Sequence, residues 1–100
     1  MQTKYFLNPL STLFHPEIDS INGFKTIVYN VNKKEILKIN KFGYQILKII
    51  NDNPGIYIDK IYYKILMDTK SSETELRNKM SKFLEEMTNR GVLLKKDEQE

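Results

Sequence analysis

At Asn40 the hydrophobic pattern of this chain changes period, and that switch is its tightest constraint on the fold. Upstream, β-branched and aromatic residues cluster as strands prefer, in Ile27, Val28, Tyr29 and Val31. Downstream, apolar residues recur at the i, i+3, i+4, i+7 spacing of one helix face. Asn40 itself suits an N-cap, because its side chain can accept from an orphan N–H of the first turn. A strand-rich half therefore hands over to a helical half inside one small domain.

Asn22-Gly23 is a hairpin signal, since both positions of a type I′ turn need positive φ. Its flanks, residues 17–21 and 24–31, read as strands. Asn32-Lys33-Lys34 makes a second turn. Residues 35–39 make a third strand, with Leu37 and Ile39 on one face and Ile36 and Lys38 on the other. If the sheet runs in chain order, this third strand is an edge.

Three helices follow. Phe42, Ile46, Ile49 and Ile50 stripe the first, which ends in the turn Asp52-Asn53-Pro54-Gly55. Ile58, Ile61, Tyr62, Ile65 and Leu66 stripe the second. Ser72 and Glu75 form a capping-box pair ahead of the third, striped by Leu76, Met80, Phe83, Leu84 and Met87. Gly91 is placed as its C′ residue. Val92, Leu93 and Leu94 close the apolar pattern as a short strand or an extended tail on the core. The expected fold class is α+β, winged helix-turn-helix-like, with a three-stranded antiparallel sheet followed by three helices. Residues 1–15 read as an N-terminal arm packed through Tyr5, Phe6 and Leu7. Residues 16–94 read as the domain, and residues 95–100 as a charged tail that frays.

Composition removes most chemistry. The 100 residues include no Cys, which excludes disulfides, thiolate metal sites and Cys nucleophiles. The one His, His15, precedes Pro16 as a turn residue, so a His-pair zinc site or Ser-His catalysis has little to draw on. Asp52, Asp59 and Asp68 are spaced as turn and helix-start residues, and no Gly-rich phosphate loop is present. The expectation is a binding module with no catalytic residues, no cofactor and no metal. No stretch reaches the roughly 18 apolar residues of a membrane span, and the apolar run after Lys4 is too short for a signal peptide. A cytoplasmic location away from membranes is expected.

The net charge of +3 is unevenly spread. Residues 33–70 hold eight Lys against Glu35, Asp52, Asp59 and Asp68, whereas residues 71–100 hold six basic against seven acidic side chains. A Lys-rich solvated surface is the plain explanation, and attraction to an acidic partner is the functional one.

The run Glu35–Asp52, EILKINKFGYQILKIIND, resembles the PqqD-like pattern: a short apolar strand, Asn, a small residue, then an apolar helix. The run 83–93, FLEEMTNRGVL, is similar to that family's final helix with its Gly-Val/Leu ending. The resemblance spans residues 16–94. Two departures are the longer turn at Asp52-Asn53-Pro54-Gly55 and residues 1–15, which lie outside the pattern. The resemblance implies a peptide-recognition element for ribosomally made, modified peptides. Such an element binds the leader of a precursor peptide and presents it to a separate modifying enzyme or leader peptidase. It further implies that the leader adds as an antiparallel strand to the third strand, in a groove walled by the third helix.

The residues suit that mechanism. Strand addition needs an edge with unpaired N–H and C=O groups. Residues 35–39 supply one, guarded against self-pairing by Lys33, Lys34 and Lys38. The expected peptide-binding residues are Lys34, Glu35, Ile36, Leu37, Lys38 and Ile39 on the strand, and Leu76, Lys79, Met80 and Phe83 on the helix. Leu37 and Ile39 also read as core by their side chains, and Phe83, Leu84 and Met87 read as core within the helix stripe. Lys79 and Lys82 could meet leader carboxylates, each exposed pair being worth only about 0–1 kcal/mol. The alternative is a winged-helix DNA-binding regulator. Strands that precede the helices count against it. So does a third helix that balances Arg77, Lys79, Lys82 and Arg90 with four Glu. A structural subunit or small inhibitor using the same groove is a further alternative.

Overall fold

A computed structural model of the chain describes residues 2–14, 17–19, 23–30, 33–67 and 72–98. It is α+β, with two small antiparallel sheets and three helices in a winged-helix-like arrangement. In chain order the elements are β1 (Gln2–Leu7), β2 (Ser11–Leu13), β3 (Glu17–Asp19), β4 (Gly23–Asn30), β5 (Glu35–Ile39) and α1 (Lys41–Asp52). They continue with β6 (Ile56–Tyr57), α2 (Ile58–Leu66), α3 (Glu73–Asn89) and β7 (Leu93–Glu98).

The first sheet places β1 between β6 and β7. Its register runs from Gln2 opposite Glu98 to Leu7 opposite Leu93. The second sheet is built on β4. Val28 stands between Leu13 of β2 and Leu37 of β5, while β3 pairs with the start of β4. β5 pairs with β4 alone among the described strands.

Local chemistry sets the helix ends. Asn40 accepts from Gly43 N at 2.8 Å and caps α1. Ser72 accepts from Glu75 N at 3.3 Å and caps α3. Gly91 follows α3 at φ +80°, with its N–H on Thr88 O and the Val92 N–H on Met87 O. This pair of bonds is the Schellman arrangement, which a Cβ at Gly91 would strain.

The core is the meeting of the helix stripes with both sheets. Ile46, Leu47 and Ile50 of α1, Ile61, Tyr62 and Ile65 of α2, and Leu76, Met80, Leu84 and Met87 of α3 are buried together. Val28 and Ile39 enter from one sheet; Tyr5, Ile56 and Leu93 enter from the other. Each such aliphatic side chain contributes about 1.5–3 kcal/mol relative to exposure.

Three expectations need correction. Within the expected arm of residues 1–15, the described residues 2–14 are not separate from the domain, because β1 is the central strand of the first sheet and β2 flanks β4. Residues 95–98 do not fray, since they continue β7 along β1, with the Thr3 hydroxyl donating to Asp97 at 2.7 Å. The strands do not all precede the helices, because β6 lies between α1 and α2 and β7 follows α3. Asn22, half of the expected hairpin turn, lies outside the described residues, as do His15, Pro16 and Asn32. Gly23 is the first paired residue of β4, opposite Asp19.

Candidate functional site

β5 is five residues long and pairs with β4 alone among the described strands; it meets α3 at its two ends, through Glu35 on Arg90 and through Ile39 and Phe83 at Gly43. What lets the two elements approach is Gly43. A Cβ there would lie 2.6 Å from Ile39 Cγ2 and 2.8 Å from Phe83 Cε2. The bare backbone of α1 thus leaves room for the end of β5 and the Phe83 ring to share one spot.

A cleft of about 670 Å³ opens from this point. Phe42 and Gln45 of α1, Ile65 of α2, and Leu76 and Phe83 of α3 line it. Lys41, Lys79, Lys82 and Glu86 stand around it, three cations to one acid. A second hollow of about 440 Å³ adjoins it, sharing Lys82 and Glu86 and reaching Lys33, Glu85, Asn89 and Arg90. The first hollow touches Asn40, just past the end of β5, and the second touches Lys33, just before its start. Together they form one groove along α3. From Leu76 to Arg90 a helix advances about 21 Å, and a strand needs about six residues to match that length.

The head of the groove is tied down. Arg90 donates to Glu35 Oε1 at 2.6 Å and to Glu86 Oε1 at 3.2 Å. Lys33 Nζ reaches Asn89 O at 3.3 Å. Buried Asn30 donates to Arg90 O at 3.3 Å and accepts from Lys33 N at 3.3 Å. Asn8 donates to Gly91 O at 2.8 Å. These bonds fasten the end of α3 to the β4–β5 turn and to the β1–β2 connection.

The expected site residues are placed as follows. Lys34 is exposed in the turn, at φ +51°. Glu35 is held by Arg90 and points toward α3. Ile36 and Lys38 are exposed on the sheet face away from the core, Ile36 at 61%. Leu37 packs on the core and Ile39 is buried in it. Lys79 and Phe83 line the groove. Leu76 is only 1% exposed, so it is groove floor rather than wall, and Met80, at 2%, is core and does not line the groove. α3 presses that part of its stripe onto α2 instead of leaving it open. Phe42, read as helix core, is half-buried and lines the groove, as do Gln45 and Ile65. Their signal was available, because Phe42 follows the Asn40 cap and must lie beside the strand end.

Among the described residues no group of three or more His, Asp or Glu side chains is placed to hold a metal ion. None of the described helices is long and apolar enough to cross a membrane.

No family model matches this chain, and no curated protein does. A solved structure, TbiB1 in complex with the TbiA(beta) leader peptide, superposes on it with a TM-score of 0.71. The match covers 88% of this chain and 93% of that one, at 14% sequence identity. At that identity the likeness establishes a shared fold.

Proposed function

We propose that the chain is a leader-peptide recognition element of the PqqD-like kind, which binds the leader of a precursor peptide as a strand on β5. The observation that carries this reading is that β5 pairs with β4 alone among the described strands, with a hollow against α3 at either end of it. The shared fold with a protein solved in complex with a leader peptide supports it. Backbone pairing along β5 gives affinity tolerant of sequence, and the apolar floor of Phe42, Leu76 and Phe83 selects side chains. The lysines around the groove favour an acidic segment and raise its association rate. The chain then works as a cytoplasmic adaptor with no chemistry of its own, delivering the peptide to a separate modifying enzyme or leader peptidase.

The test is fluorescence anisotropy with labelled leader and core halves of the precursor peptide encoded beside this protein. Tight binding of the leader half alone is expected. A leader that binds no better than its scrambled version ends the proposal.

DNA recognition is the weaker reading. The placement of β6 and β7 removes one objection to it, since strands do lie between and after the helices. The charge objection is stronger in three dimensions. Arg77 is paired with Glu73, and Arg90 with Glu86 and Glu35, so both α3 arginines are engaged within the protein. DNA affinity that falls steeply with salt would favour that reading.

A further inference from the structure

We propose that the groove along α3 reads charge order in its peptide: a leader carboxylate next to an apolar side chain sits in the cleft between Phe42 and Phe83, and an uncharged stretch lies over the hollow at Arg90. The proposal rests on the leader-binding reading above and names the substrate class of that same site.

Pairing within the protein decides which charges are left for a ligand. The first hollow carries Lys41, Lys79 and Lys82 against Glu86 alone. Arg90 already donates to Glu86 at 3.2 Å. None of the three lysines has an ion-pair partner among the described residues. The second hollow carries Lys33, Lys82 and Arg90 against Glu85 and Glu86. Counting Glu35, which Arg90 holds at 2.6 Å, it balances three cations with three carboxylates. One end of the groove is therefore cationic and the other neutral, a difference of position that net charge does not report.

Helix spacing sets lysine beside apolar surface on both walls of the cleft. Leu76, Lys79 and Phe83 follow one another at three and four residues and form a row along α3. Leu76 is buried and Phe83 half-buried, while Lys79 and Lys82 are exposed. On α1, exposed Lys41 precedes half-buried Phe42. The ligand that fits both walls is an apolar side chain with Asp or Glu next to it. At about 670 Å³ the cleft lies within the ~300–1,000 Å³ of ligand pockets, so it admits such a pair.

Steering alone does not describe this arrangement. Charges at a rim act mainly on association and its salt dependence. Here the apolar side chain excludes water from the space between Phe42 and Phe83, and an ion pair beside it works in a lower dielectric than an open surface pair. That pair must break before the peptide leaves, so charge at this end acts on the dissociation rate as well.

The test uses the full chain and the labelled leader half of the precursor encoded beside it, by stopped-flow association and displacement. Lys41→Gln with Lys79→Gln removes two charges from the cleft. Lys60→Gln with Lys64→Gln removes two charges from α2 outside the groove. All four lysines are exposed, so both variants keep the parent's unfolding midpoint. The first pair is expected to speed leader dissociation about tenfold, and the second to change it by less than about twofold. One leader Asp or Glu changed to its amide should reproduce the loss, and adding Lys41→Gln and Lys79→Gln should then cost little more. Three results overturn the proposal: a tightly bound leader that has no Asp or Glu, equal dissociation rates from the two double variants, or equal losses at every acidic leader position. A parent that binds the leader no better than its scrambled version refutes the underlying reading instead.

Discussion

Phe83 packs its ring edge against the bare backbone of Gly43, so that a Cβ on Gly43 would lie 2.8 Å from Phe83 Cε2. That contact sets how closely α3 approaches the end of β5. Gly43→Ala would gain about 1 kcal/mol of helix propensity and lose about 1–3 kcal/mol to overpacking. The expected outcome is a net loss of stability in urea unfolding, with weaker leader binding because the groove is forced wider. A stabilised variant with unchanged affinity would show that Phe83 yields freely.

Arg90 holds the other end of the groove through Glu35 and Glu86. The Arg90 and Glu35 side chains are 42% and 35% exposed, so the pair contributes no more than about 1 kcal/mol to stability. Its larger effect is on position. Glu35→Gln is expected to change the unfolding midpoint little and to speed leader dissociation by about fivefold, the equivalent of about 1 kcal/mol. Stopped-flow displacement measures that rate. An unchanged rate would show that the remaining bonds at Asn30 and Lys33 hold α3 without it.

Much of this architecture was legible in local chemistry. Asn40, Ser72 and Gly91 act where capping rules place them, and α2 buries the stripe that the helix period picks out, whereas α1 buries Leu47 with Ile46 and Ile50 and leaves Phe42 and Ile49 half-buried. β5 has its expected bounds and edge position. What stayed hidden depends on contacts across the chain. β1 pairs with β7 some ninety residues away, and its run of Tyr5, Phe6 and Leu7 breaks the alternation that marks a half-buried strand. Lys95, Lys96 and Asp97 resemble a solvated tail because only their backbone is needed for pairing, and their side chains do face solvent. Leu76 and Met80 share a stripe with Phe83, and only the docking of α3 on α2 decides which of them opens to the groove.

Lys34 adopts φ +51°, a conformation that costs a side-chain-bearing residue free energy. Lys34→Gly relieves that strain at the cost of a more flexible unfolded chain, for a net gain of about 0.5–1 kcal/mol. The melting temperature should rise by a few degrees. A fall would mean that the Lys34 side chain makes compensating contacts.

Tyr5 is buried in the first sheet, and burial, aided by Asp97, raises its pKa above the ordinary 10.0. The folded state therefore keeps the phenol proton at pH values where the unfolded chain has lost it. Stability is full below the unfolded value and declines as pH rises through 10.0 toward the raised folded value. Tyr5→Phe should flatten the alkaline decline in urea midpoints measured across that range. An identical decline in the variant would assign it to other groups.

The central claim is that the leader becomes a strand on β5, and amide hydrogen exchange reads this directly. Exchange of the full chain should be compared with and without saturating leader, resolved at the amides of residues 35–39. Strand addition predicts strong new protection at alternate amides of this strand, those whose N–H groups point away from β4. Leader binding that protects α3 alone, or leaves β5 exchange unchanged, would contradict the account.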